Sequence, residues 1–229
     1  MLSDLFVRMA AGHFERGMKL HVCRSGKDLR TNNVVSFLSQ RRELVEDAYA
    51  GDIIGIPNHG LLQLGDTLTE GEDLQFTGLP FFAPELFQTV EMVDPMRSKQ
   101  LRVGLTQLGE EGAIQVFRPL LGGMLLLGAV GTLQFEVVAH RLAHEYGVEA
   151  RIAPSRYQMA RWVTADDPAE LKRFIDANAM RIAYDAVDAP TLLIAHHTEL
   201  RAVEGLWEKI HFHALREHAG LVFQKRLDG

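Results

Sequence analysis

A single cysteine, Cys23, in 229 residues leaves no intramolecular disulfide to form. That sets aside the small secreted domains held together by cystines and points to a reducing compartment. Long apolar runs are also lacking. The longest, Met124 to Val130, contains Gly128 and falls far short of the ~20 residues that span a bilayer. No basic-then-apolar leader pattern stands at the N-terminus. We therefore expect a cytoplasmic chain with no membrane partner. One sign of charge is missing over a long stretch as well: between Glu43 and Pro95 there are 11 acidic residues and no lysine or arginine.

What is present describes a globular protein. Hydrophobic residues make up 47% and charged residues 24% of the chain, enough for a real core. The length allows one large domain or two ordinary ones. The formal charge of −6 argues against a general nucleic-acid coat. The charges are segregated, however. From Arg8 to Arg42 there are eight basic and two acidic residues, a net of +6, and the segment from Glu43 to Pro95 carries −11. Such asymmetry suggests one basic face able to meet phosphate on an acidic body, with a mixed, solvated surface as the plain alternative.

Two patterns divide the chain. Residues 5 to about 77 read as all-β: Leu5–Met9, Gly17–Val22, Val34–Leu38, Ile53–Pro57, Leu61–Leu64 and Thr67–Thr69 are separated by Gly- and Asn-bearing turns. Regular turns at such short spacing point to a small barrel or sandwich. After Pro80 the order becomes strand Leu86–Val93, helix from Asp94-Pro95 to about Leu108, strand Ala113–Leu120, strand Met124–Val130, helix Thr132–Tyr146 and strand Val148–Ala153. This β-α-β-β-α-β order is the split βαβ arrangement. The remainder repeats the theme with strand Ala160–Thr164, a helix capped by Asp167 with Pro168 at its first position, strand Thr191–Ala195, helix Glu199–Ile210 and strand His211–Arg216. We expect it to join the same sheet.

Chemistry-bearing motifs are few. Asp52-Ile-Ile-Gly55 fits the D-x-x-G pattern of nucleotide switches, but a phosphate-cradling G-x-x-x-x-G-K-[ST] loop is missing. The one Gly-Lys pair is Gly26-Lys27, with His21 five positions before Gly26 and Asp28 after the lysine. No N-K-x-D segment exists either. His140 and His144 stand four apart on a helix, as zinc ligands can, but Arg141 follows the first histidine where a protease would place glutamate. His196-His197 and His211-x-His213 lack Cys or acidic partners at ligand spacing. No nucleophile, base and orienting group can be placed on one site. The split βαβ strands lack the aromatic signature by which such sheets read RNA. We expect no catalytic residue, no metal site and no cofactor in this chain.

Several longer segments carry a resemblance. Phe14-Glu15-Arg16-Gly17-Met18-Lys19-Leu20, Ala50-Gly51-Asp52-Ile53-Ile54-Gly55 and Gly65-Asp66-Thr67-Leu68 resemble the β-barrel second domain of translational GTPases. Phe82-Ala83-Pro84-Glu85-Leu86-Phe87, Gln107 to Pro119, Gly128 to Val138 and Ala160-Arg161-Trp162-Val163 are similar to bacterial peptide chain release factor 3, the class II release factor family. The resemblance runs from about Leu5 to His218. It implies a β plus α/β multidomain fold: an elongation-factor-like β-barrel over 1–80, then an α+β domain built on a split βαβ (ferredoxin-like) unit over 81–229. It implies a ribosome-docking part of a translation termination factor that promotes GTP-dependent release of class I release factors after peptide release. Its partners would be the ribosome, through ribosomal RNA and ribosomal proteins, the class I release factors and an upstream GTPase domain. GTP and Mg²⁺ are implied for the full-length family only, so this chain is expected not to be an enzyme. The family's GTPase domain would precede Leu5, and the first barrel strand would lie partly upstream, leaving an open edge near Leu5-Phe6-Val7. Asp52 and Gly55 then fall at barrel positions and inherit no switch role. For ribosomal RNA contact we nominate Arg16, Lys19, Arg24, Lys27, Arg41 and Arg42, from the basic segment and the implied ribosome-facing barrel. Two other readings stay open: a fragment of another translational GTPase, elongation factor G-like or a ribosomal protection protein, and a small-molecule-sensing split-βαβ module.

Overall fold

The computed structural model describes residues 3–38, 41–58, 61–72, 74–76 and 80–217, and the chain divides into two compact units, Met1–Leu79 and Pro80–Gly229. The first contains nine short strands: β1 (Ser3–Arg8), β2 (His13–Glu15), β3 (Lys19–Val22), β4 (Lys27–Arg30), β5 (Val35–Leu38), β6 (Arg41–Leu44), β7 (Asp47–Tyr49), β8 (Ile53–Asn58) and β9 (Leu68–Thr69). They form antiparallel sheets in the orders β1-β8-β5-β6, β4-β3-β9 and β2-β7. Period-two alternation sets their faces. On β3, Lys19 and His21 point outward while Leu20 and Val22 point in. Phe14, Val22, Val34, Ile54 and Ile56 meet in one core.

Among the described residues no ladder joins the three sheets, so what stands where a barrel is expected is a set of antiparallel sheets around a shared core. β1 lies at the edge of its sheet. Leu61–Leu64 is not a strand, which corrects the sequence reading. The Asn58 amide donates to the Leu62 carbonyl and accepts from its N–H, and the Asp66 carboxylate accepts from Gln63 N–H. Side chains thus take the backbone groups that a ladder would need.

The second unit begins with β10 (Pro80–Phe82) and β11 (Leu86–Met92). A 3-10 turn at Pro95–Arg97 leads into α1 (Ser98–Glu110). Then come β12 (Gln115–Pro119), β13 (Leu126–Ala129), α2 (Leu133–Glu145), β14 (Ala150–Pro154), β15 (Met159–Ala165), α3 (Pro168–Ala177), β16 (Ile182–Tyr184), β17 (Pro190–Ile194), α4 (His197–Leu206), β18 (Ile210–His213) and β19 (Leu215–Glu217). Eight strands form one antiparallel sheet in the order β14-β11-β13-β12-β16-β17-β15-β18. Each half, taken in chain order, pairs its fourth, first, third and second strands side by side. The two second strands join the halves through Arg118↔Tyr184 and Pro119↔Ala183. The expectation that the remainder would join the same sheet therefore holds.

α1 and α2 cover one half with Leu105, Leu108, Val138 and Leu142; α3 and α4 cover the other with Phe174, Leu200 and Val203. A further cluster of Phe87, Phe117, Leu126, Ala160, Ala183 and Leu193 runs across both halves, with Ala83 packed on it. Pro84 sits so close over Gly128 that a Cβ there would come within 2.4 Å of the proline ring. β10 pairs with β19. Arg216, on β19, is buried against the rings of Phe81 and Trp162 and lies 3.3 Å from Asp185. No helix among the described residues is long and apolar enough to cross a membrane.

Candidate nucleic-acid interface

The basic residues nominated from the sequence lie on or next to β2, β3, β4 and β6. A tight turn closes the β3–β4 hairpin, where Ser25 and Gly26 N–H both donate to the Val22 carbonyl. Gly26 sits at φ 65°, a conformation that costs a Cβ-bearing residue energy. The register places Lys19 opposite Arg30, His21 opposite Asp28 and Val22 opposite Lys27. Two like charges, Lys19 and Arg30, therefore face each other, an arrangement that destabilises a ladder unless a carboxylate intervenes. Asp28 intervenes: Lys19 Nζ lies 2.7 Å and His21 Nδ1 3.0 Å from its oxygens. Hydrogen bonds from Lys19 and then His21 hold the Asp28 carboxyl below its ordinary range.

The six nominees do not form one free patch. Arg16 donates from Nε to the Asn32 carbonyl at 2.9 Å and from Nη1 to Glu46 at 2.7 Å, which ties the Asn32-Asn33 turn to the start of β7. Arg24 grips Asp66 with Nε at 2.5 Å and Nη2 at 2.9 Å, and also donates to the Leu61 carbonyl. The Asp66 side chain is only 6% exposed, so this fork fastens the Leu61–Asp66 loop to the hairpin. Glu46 and Asp66 both come from the acidic segment, so folding neutralises locally what looks segregated along the chain. Lys27 is exposed at the hairpin end and has no acidic partner among the described residues; the same is true of Arg8 and Arg30, which the nominated set omitted. Arg41 and Arg42 occupy β6, paired with Leu38 and Phe37, and their side chains lie outside the described residues. Read as a strand, Lys27–Arg30 would have put Leu29 inward and Arg30 outward, which could have singled out Arg30.

The other motifs resolve into structural roles. Asp52 Oδ2 accepts from Tyr49 N–H in the turn before β8, and the nearby Gly51 N–H donates to the Met9 carbonyl. Asp52 is thus a turn former between strands. The glycine-bearing turn ahead of α2 has the look of an anion cradle, but Gln134 Oε1 already accepts from the Val130 and Gly131 N–H groups. His140 and His144 stack at 3.9 Å on the outer face of α2, and no cluster of metal-ligating side chains occurs among the described residues. His213 exchanges a hydrogen bond with Thr164 at 2.8 Å; burial, and then His211, push its pKa down.

Residues 76–204 match the family model described as class II release factor RF3, C-terminal domain. The chain belongs to the class II release factor family. Residues 5–71 match elongation factor G domain 2, so the two units correspond to that domain type followed by the release-factor domain. The C-terminal match distinguishes the chain from an elongation factor G fragment. It is 74% identical over 219 residues to peptide chain release factor 3 of Nitrosomonas eutropha, covering 96% of this chain and 41% of that protein. It is 71% identical to the Bordetella pertussis protein of the same name, covering 95% and 41%. The chain thus spans about 41% of the length of these curated relatives. A crystal structure of a Thermus thermophilus protein is similar in fold, with a TM-score of 0.55 and 24% identity over 72% of this chain and 25% of that one.

Proposed function

We propose that this chain is the ribosome-docking part of a translation termination factor. In the whole protein it would work with an upstream GTPase domain, which binds GTP and Mg²⁺, to release class I release factors from the ribosome after peptide release. Membership of the class II release factor family is the observation that supports this reading, with the cytoplasm as the working compartment it would imply. The chain itself would carry no nucleotide chemistry, because its sequence holds no G-x-x-x-x-G-K-[ST] loop, the segment that supplies a triphosphate with backbone N–H groups and a lysine.

For the RNA contact, the choice narrows within the basic segment. Arg30, on the outer face of β4 with Lys19 and His21, and Lys27, exposed on the opposite face at the hairpin end, stand without acidic partners among the described residues, with Arg8 on β1 and the strand positions Arg41 and Arg42 as further members. Arg16, Lys19 and Arg24 hold carboxylates and would shape the hairpin more than grip phosphate. Co-sedimentation of the chain with bacterial ribosomes across a salt series tests the reading. Saturable binding that weakens steeply with salt is expected, since each lysine or arginine contact to a phosphate adds about one unit to the slope of log K against log salt. Binding that is absent at low salt, or indifferent to salt, overturns it.

A further inference from the structure

The two halves of the Pro80–Gly229 unit serve as internal controls on each other. Asp94 and Asp167 are corresponding caps: each accepts from the N–H two residues on, and each is followed by proline. Counted from those caps, the registers agree, with Thr89 opposite Leu126 as Trp162 is opposite Thr191. Val90, Leu101 and Leu127 are buried in one half, and Val163, Phe174 and Leu192 in the other. The demands of the fold are the same at corresponding positions. The surfaces differ. Met92, Val93, Met96 and Met124 are 39%, 61%, 87% and 55% exposed. At the same places the second half has Ala165, Asp166, Ala169 and Ala189. The hairpin tip differs too. In the second half Asp185 ties it down by accepting from Val187 and Ala189 N–H, with Val187 46% exposed, while in the first half it presents Leu121, 53% exposed. The architecture therefore does not require this apolar patch, and patches of this kind mark contact surfaces.

A cleft of about 360 Å³ opens within the patch, lined by Val90, Met92, Ser98, Leu101, Met124 and Leu125 among others. Arg102, itself in the lining, and Lys99, both in the first turns of α1, are exposed and have no acidic partner among the described residues. Glu91 is the one acidic residue in the lining. We propose that this surface docks an amphipathic helix of a partner protein, with apolar side chains entering the cleft and an acidic flank meeting Lys99 and Arg102. Methionine thioethers adapt to an inserted side chain, as helix-binding grooves require. The unpartnered cations select the acidic flank. Nucleic acid fits less well, because the patch offers no aromatic ring on which a base could stack.

The test uses the whole chain with methyl-labelled methionine, followed by NMR. One probe is a synthetic helix of about 18 residues, five turns, with leucine at i, i+4 and i+7 and glutamate flanks. The others are the same helix with lysine flanks and a single-stranded RNA oligonucleotide. Saturable shifts of the Met92, Met96 and Met124 methyls by the acidic helix are expected, with roughly tenfold weaker binding for the lysine-flanked helix and for the Lys99→Glu/Arg102→Glu variant. The Met92→Gln/Met124→Gln variant should lose the interaction with its thermal midpoint unchanged, since both side chains are exposed. Failure of the acidic helix to give saturable shifts, equal binding of both helices, or stronger shifts from the RNA overturns the proposal.

Discussion

Replacing Asp185 with alanine should destabilise the Pro80–Gly229 unit by about 3–5 kcal/mol, the cost of breaking a buried ion pair from one side. The Asp185 carboxylate is buried and accepts from Trp162 Nε1 at 2.9 Å, Val187 N–H at 3.0 Å and Ala189 N–H at 2.9 Å. Arg216 Nη2 lies 3.3 Å away, and burial already pushes that guanidinium's pKa down against the opposing pull of Asp185. Truncation removes the partner of three donors and leaves a cation, 5% exposed, without its carboxylate. At roughly 2–4 °C per kcal/mol for a unit of this size, the midpoint should fall by about 10 °C. Urea and thermal unfolding followed by tryptophan fluorescence measure it. The Asp185→Ala/Arg216→Met double variant should recover part of the loss, because it removes the stranded charge and leaves a flexible thioether against Phe81 and Trp162. A single-variant cost below about 1 kcal/mol, the worth of one ordinary hydrogen bond, or a double variant less stable than the single one, would refute the reasoning.

Gly128→Ala should cost about 1–3 kcal/mol or more, because the new Cβ would meet Pro84 at 2.4 Å and Phe117 at 2.8 Å; an unchanged urea midpoint contradicts it. The pH dependence follows from His213. Its folded pKa is depressed below an unfolded value of about 6.5, so the unfolded chain takes up the proton first and stability falls as pH drops from about 6.5 towards the folded pKa. His213→Gln should flatten that slope in urea midpoints, and a slope of opposite sign counts against the assignment. Arg24→Ala should loosen the Leu61–Asp66 loop, seen as faster amide exchange at Gln63; unchanged exchange there rejects the anchoring role. Calorimetry with GTP and Mg²⁺ should detect no binding to this chain, and micromolar binding would contradict the assignment of Asp52 to a turn.

The second unit is largely legible in the sequence because its helices carry apolar stripes and because Asp-Pro caps mark the turn before α1 and the start of α3. Asp167-Pro168 marks a start that Asp167 makes by accepting from Ala169 N–H. Helix α4 differs from expectation by a few residues, running His197–Leu206 in place of Glu199–Ile210, because Trp207 and Ile210 continue the apolar stripe after the helix has ended. β16 is invisible in the sequence, since three residues after a 3-10 turn give no period to read. In the first unit the strands β4 and β6 hide because they read Lys-Asp-Leu-Arg and Arg-Arg-Glu-Leu. Their pairing is fixed by neighbours in space, and charge masks the alternation. The candidate site is obscured for a related reason. Counting charge along the chain locates the basic segment but cannot reveal that Glu46 and Asp66 fold back onto Arg16 and Arg24.

The most direct test of the docking account is the salt slope of ribosome binding, compared between the chain and its Lys27→Ala/Arg30→Ala variant, with Arg24→Ala as a structural control. The slope of log K against log salt should drop by about two units in the double variant, one per lost phosphate contact, and should stay within a few tenths of a unit for Arg24→Ala. An unchanged slope in the double variant, with ribosome binding intact, contradicts the placement of the RNA contact on the β3–β4 hairpin.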